Sequence, residues 1–479
     1  MFTGTNVRYE LADRVRGVDV GGIPAMHVLA KQAGLAGEID RRLHLLKFHL
    51  PYHESDHVLN IALNVLSGGT CLEDLELRRN NESYLDALGA QRIPDPTTAG
   101  DFCRRFQASD VEALMNAINE TRLRVWKQQP DEFFKEAIVE ADGTHANTTG
   151  ECKQGMDINR DGDWGYHPLV VSLANTGEPL FLVNRSGNRP SHEGAAARFD
   201  QALELLRRAG FKKITFRGDT DFSQSAHLDR WHDAGVKFVF GFDAAQNLVQ
   251  KAESLPQTAF KRMGRPSRHD VKTKSRTKPE HVKERIVQER GFLNIHPLSE
   301  EVAEFEYEPT RCKQPYRMVV LKKNLSIERG ERVLFADVRY FFYITNRRDL
   351  SAEQVVLSAN ERCNQENLIA QLKSGVRAMR MPVDTLVSNW AYMVMAALAW
   401  SMKAWFALLV PVRGRWRARH EREREELLRM EFRSFLNAVI RIPAQVVRTG
   451  RKIVLRLMSW TRWLPAFFRG VDALRVRLC

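Results

Sequence analysis

The stretch Ala137-Ile138-Val139-Glu140-Ala141-Asp142 decides how this chain is read. It is an apolar run of strand length that delivers an aspartate at its end. A second such run, Ile214-Thr215-Phe216-Arg217-Gly218, ends at Asp219. A carboxylate at a strand end is held rigidly while the chain beyond it turns away. Glu366 comes much later, in a helical stretch expected from Asn360 to Lys373. Two strand-end aspartates and a helix-borne glutamate can clamp two divalent cations, and a two-cation site suits cleavage and joining of phosphodiesters. Single acids are mostly solvated surface groups, so the set carries the inference and no member does so alone.

Working outward from Asp142, further strands are expected at 167–173 and 179–183, joined by the turn Asn175-Thr176-Gly177. A helix over 194–209 stops at Gly210. After the strand that delivers Asp219 come a helix near 223–234, ended by Gly235, and a strand at 236–240. Three strands in a meander followed by alternating helix and strand is the order of a ribonuclease-H-like mixed α/β sheet. Residues 245–330 interrupt it. Their part from Lys261 to Arg285 holds 10 Lys and Arg against 3 Asp and Glu and reads as a basic loop. Strand-like runs follow at 302–307 and 316–321, and the core resumes at 340–346. Ser351 with Gln354 three residues on is a capping-box signature for the next helix.

Residues 1–130 read as mainly helical. Ser55 is a candidate N-cap for the run 58–66, which Gly68-Gly69 stops, and Pro94 to Thr98 punctuates before a helix carrying Phe102, Arg105 and Phe106. Such a bundle serves DNA binding or dimerisation, or is plain helical packing. The expected layout is a helical domain over 1–130, a core over 131–244 and 331–400, a β-rich insertion over 245–330, and a basic helical region over 401–479.

The chain has 479 residues and a net charge of +13. From Ser401 onward there are 18 Lys and Arg against 6 Asp and Glu, so one end holds nearly all the excess. That suggests a polyanionic partner, nucleic acid or an anionic membrane surface; the alternative is a solvated basic tail. Apolar residues in that tail (Val447, Ile453, Leu457, Trp460 and Trp463) imply helices that pack while exposing Arg448, Arg451 and Lys452 to DNA. The six cysteines form no CxxC pair, which argues against a zinc ribbon and suits a reducing compartment. No signal peptide is evident at the N-terminus. The apolar stretch from Leu386 to Val412, interrupted by Ser388, Asn389, Ser401 and Lys403, is expected to be a helix buried against other elements and not a membrane span.

Arg362, Glu366 and Lys373 are spaced i, i+4, i+11. On one regular helix they would fall within about 40° of each other, a single stripe. Arg362 could then fix the Glu366 carboxylate, and Lys373, about 10 Å further along, could reach a phosphate. An ordinary charged helix face has the same spacing.

The stretch Arg362-Cys363-Asn364-Gln365-Glu366 followed by Lys373 resembles the Arg-x3-Glu-x6-Lys part of the third motif of insertion-sequence DDE transposases. Asp219-Thr220-Asp221-Phe222 resembles their second motif and Asp142-Gly143-Thr144 their first. The stretches Gly165 to Leu169, Arg217-Gly218-Asp219 and Leu85 to Gly89 look like the thirteen-eighty family of insertion sequences. The resemblance covers nearly the whole chain. It implies cleavage of the element's ends and their joining to target DNA, by Asp142, Asp219 and Glu366 with two magnesium ions, for which manganese can substitute. It further implies a homodimer on double-stranded DNA, in the bacterial cytoplasm at the nucleoid and without a membrane partner. Two positions depart from the pattern. Ala359 stands where the family has Tyr, and Asp221 where it has Gly. Asp219 and Asp221 are therefore rivals, with Asp219 favoured because it ends the strand.

Two other readings fit the same residues: a magnesium-dependent nuclease on this fold, and an inactive transposase-derived DNA-binding protein. Among the remaining candidates, Trp164 suits base stacking or a hydrophobic lid. His145, Cys152 and His167 are poorly spaced for zinc. His192 and Glu193 read as helix-capping groups.

Overall fold

In the computed structural model the strand that ends near Asp142 runs from Glu136 to Gly143. The structure describes residues 16–264, 282–329, 332–450, 452–458 and 460–475. The chain divides into two compact units. One holds residues 1–137, 143–212 and 364–479, the other residues 138–142 and 213–363.

The second unit is built on a large mixed sheet. Its strand order is Lys261–Arg262, Leu293–Tyr307, Tyr316–Arg329, Arg332–Thr345, Lys237–Phe242, Lys213–Gly218 and then the Asp142 strand. The strands Lys213–Gly218 and Lys237–Phe242 are parallel, and the first four run antiparallel in sequence. The runs expected at 302–307 and 316–321 are the ends of strands 15 and 14 residues long. Their outer halves carry charge pairs across the ladder, such as Lys322 with Glu301 (3.5 Å) and Lys323 with Glu300 (3.3 Å). Of the basic loop, residues 265–281 lie outside the described residues, and its end is a helix, Val282–Glu289.

Helix Ala352–Asn360 begins as expected. The Ser351 hydroxyl accepts the Gln354 amide N–H, and the Gln354 side chain accepts the Ser351 N–H. Its Val355, Val356 and Ala359 pack on Val239, Val302, Val319 and Leu321. Ala359, at the departure from the family pattern, therefore faces this apolar cluster.

The first unit is mostly helical. Helix Glu54–Leu66 starts one residue before Ser55, so Ser55 is not its N-cap. The Ser55 amide and hydroxyl both donate to Asp40, and Asp56 accepts the His53 N–H at the true helix start. The meander strands are Leu169–Leu173 and Glu178–Val183, paired antiparallel with a bulge at Val171/Ser172. Helix Ala195–Ala209 follows and stops at Gly210, which adopts φ +95°. The helix expected near 223–234, in the second unit, is shorter: a single turn at Ser225–His227 and a helix at Leu228–Asp233.

Helix Leu386–Leu409 is long and apolar enough to cross a membrane, but 94% of its most apolar window is buried within the fold. It encloses Lys403, whose side chain is fully buried. The Lys403 Nζ donates to the Leu428 carbonyl (2.8 Å) and lies 3.9 Å from the Trp400 ring centroid. Burial pushes its pKa down to about 7. An unfolded lysine titrates near 10.4, so between about 7 and about 10.4 the unfolded chain binds the extra proton and stability rises with pH. Lys403→Met is therefore expected to stabilise the protein by about 1–4 kcal/mol at pH 6. The gain should shrink as pH approaches 10. Denaturant melts at pH 6, 8 and 10 check this, and a gain constant across that range would count against a depressed pKa.

The C-terminal region does not form helices throughout. Strands Ala444–Thr449 and Lys452–Leu457 pair antiparallel, with Arg16–Val18 added at the edge. The signal was the alternation of Val446, Arg448, Ile453 and Leu455 around Gly450, which fits a strand period better than a helical one. Leu427, Phe432, Phe435, Ile440, Phe467 and Trp463 are buried, whereas Trp460 is exposed.

Candidate active site

Side chains two apart on a strand share a face. Glu140 and Asp142 therefore point to one side of their strand, and Arg217 and Asp219 are related in the same way at the end of theirs. The inner pair is an ion pair. Arg217 donates to Glu140 at 2.7 Å, and both side chains are almost completely buried. Burial pushes the Glu140 carboxyl up, against the pull of Arg217.

The outer pair shares a different arginine. Arg362 Nη2 lies 3.1 Å from Asp219 Oδ2 and 3.6 Å from Asp142 Oδ2. Burial raises the Asp219 carboxyl, Arg362 opposes that shift, and neighbouring Asp221 adds to it. The other oxygen of Asp219 accepts the Asp221 N–H at 3.0 Å, which closes the turn Thr220–Phe222. Asp221 itself is exposed. Gly241 sits directly under this turn: a Cβ there would come within 2.9 Å of the Thr220 nitrogen. The turn therefore needs a glycine beside it.

The expected stripe of Arg362, Glu366 and Lys373 does not form. Helix Ala352–Asn360 ends before Arg362, and a new helix runs Cys363–Ala370. The cause is Arg217. Its Nη1 donates to the Ser358 carbonyl (2.7 Å) and to Glu361 (2.9 Å). In a continuous helix that carbonyl would accept the Arg362 N–H. Instead Arg362 N–H turns to Ala359 O at 3.4 Å. Arg362 thus meets the two aspartates. Lys373 lies in a π-helical turn, Gln371–Gly375, where a 100° step no longer holds.

Glu366 belongs to the other unit, exposed in the first turn of its helix. Its neighbour Gln365 is buried and fastens that helix. The Gln365 amide donates to Val170 O (3.1 Å), and Ser172 donates to the Gln365 carbonyl oxygen. Gln365, Glu140 and Arg217 were not singled out from the sequence. A charged residue inside an apolar run is the signal that marks Glu140 and Arg217.

Two carboxylates converging on one cation supply the hard oxygen ligands that a magnesium-like ion prefers. Among the described residues, no group of three or more His, Cys, Asp or Glu side chains is gathered closely enough to hold a metal. The fit to a divalent ion thus rests on the Asp142 and Asp219 pair.

Residues 18–477 match the family described as transposase DDE domain group 1. The chain belongs to that family. No curated protein matches this transposase. Among solved structures, it is similar to a piggyBac transposase in a synaptic complex with hairpin DNA, at 9% identity and a TM-score of 0.38, covering 89% of this chain and 84% of that one.

The other candidates in this transposase are scattered. Arg448 is on the C-terminal hairpin, half-exposed and paired with Asp86 at 2.5 Å; Arg16 also contacts Asp86. Lys452 is exposed on the second strand of that hairpin, and Arg451 lies outside the described residues. Trp164 is half-exposed on a short strand, Trp164–Tyr166. The His167 ring contacts Arg189 O at 2.6 Å through Nδ1, and burial, with the nearby positive charges of Arg185, His145 and Lys373, lowers its pKa. His192 caps the start of helix Ala195–Ala209 through its backbone carbonyl, which accepts the Ala195 N–H at 3.0 Å, and the N-cap itself is Gly194.

Proposed function

We propose that this transposase cuts the ends of an insertion sequence of the thirteen-eighty type and joins them to double-stranded target DNA. The observation that carries the reading is the convergence of Asp142 and Asp219 on Arg362, at the strand ends where the first two family motifs fall. In this reading the large mixed sheet is a ribonuclease-H-like core. Asp142, Asp219 and Glu366 would hold two magnesium ions, with Glu366 assigned by its motif. Such ions would supply activation of a water or a terminal 3′-hydroxyl and stabilisation of the leaving oxygen. Arg362 neutralises the two aspartates before a divalent ion binds, and its guanidinium afterwards suits a DNA phosphate. The buried Glu140–Arg217 pair keeps both strand ends and the break before Arg362 in place. The active form is a homodimer on DNA.

The test is an incubation of the purified protein with a plasmid carrying the DNA that flanks its reading frame. Magnesium-dependent excision with joining to a second plasmid is expected. Cutting without joining would leave a nuclease, and binding without cutting an inactive DNA-binding protein; either result overturns the proposal.

Lys373 is exposed beside the third motif and suits a backbone phosphate. Lys373→Ala is expected to reduce the salt slope of duplex binding by about 0.9, the release of one counterion fewer. Titrations between 50 and 200 mM salt, about the range where such slopes are read, check this. An unchanged slope would remove Lys373 from the DNA contacts.

A further inference from the structure

A cavity of about 500 Å³ opens in the first unit beside the start of helix Ala195–Ala209. Arg185, Ser186, Arg189, Glu193, Ala197 and Arg198 line it, with Leu386 among the apolar residues of its wall. Arg185 is only 8% exposed. Its Nε donates to His167 O (2.9 Å), and its Nη1 donates to the carbonyls of Pro190 (3.0 Å), Ser191 (3.1 Å) and Glu193 (2.7 Å). Its Nη2 is buried and has no hydrogen-bond partner among the described residues.

These partners are neutral carbonyl oxygens, so the guanidinium is buried without a carboxylate bonded to it. A buried cation in that position is costly unless an anion joins it. Burial pushes the Arg185 pKa down to about 10, against the more distant pull of Glu193. The other two arginines are already matched. Arg198 pairs with Glu112 through both nitrogens, one at 2.8 Å, and Arg189 pairs with Glu193 at 3.3 Å. Arg185 is the uncompensated charge.

The helix start adds a second attraction. Gly194 has φ +76°, no side chain caps the helix, and Ala195-Ala196-Ala197 leave its first turn uncrowded. The amide N–H groups of a first turn have no intrahelical acceptor, and the helix dipole favours negative charge there; here the Ala195 N–H donates to His192 O (3.0 Å), so the amides of Ala196 and Ala197 are the ones offered to an anion. The start of this 15-residue helix and the Arg185 guanidinium line the same cavity, which is a phosphate-binding arrangement.

We infer that this cavity binds a phosphate group, held between Arg185 and the first turn of helix Ala195–Ala209. The group comes either from the backbone of DNA or from free phosphate. The inference does not rest on the transposase reading, because binding is measured without cleavage.

The experiment uses the full-length protein with inorganic phosphate as probe, and sodium chloride of matched ionic strength as control. Phosphate is expected to raise the Tm in a saturable way, and chloride is not. Arg185→Gln should weaken phosphate binding about tenfold or more, the loss of a charge-assisted contact. Because Arg185 also ties down a loop, Ala197→Glu is the second variant. It puts the chain's own carboxylate at the anion position, so its Tm without phosphate should equal or exceed that of the parent protein. Its phosphate response should vanish. A labelled duplex then separates the sources. If Ala197→Glu weakens duplex binding and phosphate competes with duplex on the parent protein, DNA supplies the group. If duplex binding is unchanged while the phosphate response is lost, the ligand is free phosphate. A parent protein with no saturable phosphate response, or a response that survives in Ala197→Glu, overturns the inference.

Discussion

Replacing Asp142, Asp219 or Glu366 singly by alanine should lower magnesium-dependent DNA cleavage about a thousandfold or more, since a metal-held charge stabilises the transition state by several kcal/mol. Duplex affinity should not fall with it. Each substitution removes a negative charge from a protein of net charge +13, which favours phosphate contact if it changes anything. Asp219 needs a finer variant, because its carboxylate also accepts the Asp221 N–H. Asp219→Asn keeps an oxygen for that bond and removes only the charge. Equal loss in Asp219→Asn and Asp219→Ala would assign the effect to the charge and not to the turn. Cleavage gels run beside filter-binding curves give both numbers. Near-normal cutting by Asp219→Ala together with lost cutting by Asp221→Ala would transfer the second carboxylate to Asp221.

The strand ends behind this prediction were legible because their signal is local. An apolar run, a terminal aspartate and a following glycine or turn lie within a few residues. The Ser351–Gln354 box and the Gly210 stop were legible for the same reason. The break before Arg362 was not. It depends on Arg217 taking the Ser358 carbonyl from 141 positions away, which no helical periodicity reveals. The identity of the residue that gathers Asp142 and Asp219 was hidden with it. The long strands 293–307 and 316–329 were only half-read, because charged cross-strand pairs break up their apolar runs. The C-terminal hairpin is a different case. Its β-branched alternation around Gly450 was present, but the apolar residues Val447, Ile453, Leu457, Trp460 and Trp463 were read as the packing face of helices.

Glu178 is where the local reading missed most. It opens the strand expected over 179–183, one residue before that run, and its side chain is fully buried. Four donors converge on it or beside it. Arg122 Nε reaches Glu178 Oε1 at 3.0 Å, Trp405 Nε1 reaches the same oxygen at 2.8 Å, and Trp126 Nε1 reaches Oε2 at 3.0 Å. Arg122 also donates to Pro179 O at 2.7 Å. This joins the long helix Ala108–Trp126, the meander strand and helix Leu386–Leu409 within the first unit. Glu178→Ala should destabilise the protein by about 3–5 kcal/mol, because it leaves the Arg122 guanidinium buried without its counter-charge. Part of the cost is also the two indole N–H groups left without an acceptor. The double variant Arg122→Met, Glu178→Leu removes both charges and should recover most of the charge penalty, though not the indole contribution. Urea melts of the single and double variants measure the coupling. If the double variant proves less stable than Glu178→Ala alone, the penalty lies in lost packing and lost indole bonds, and not in an unmatched buried charge.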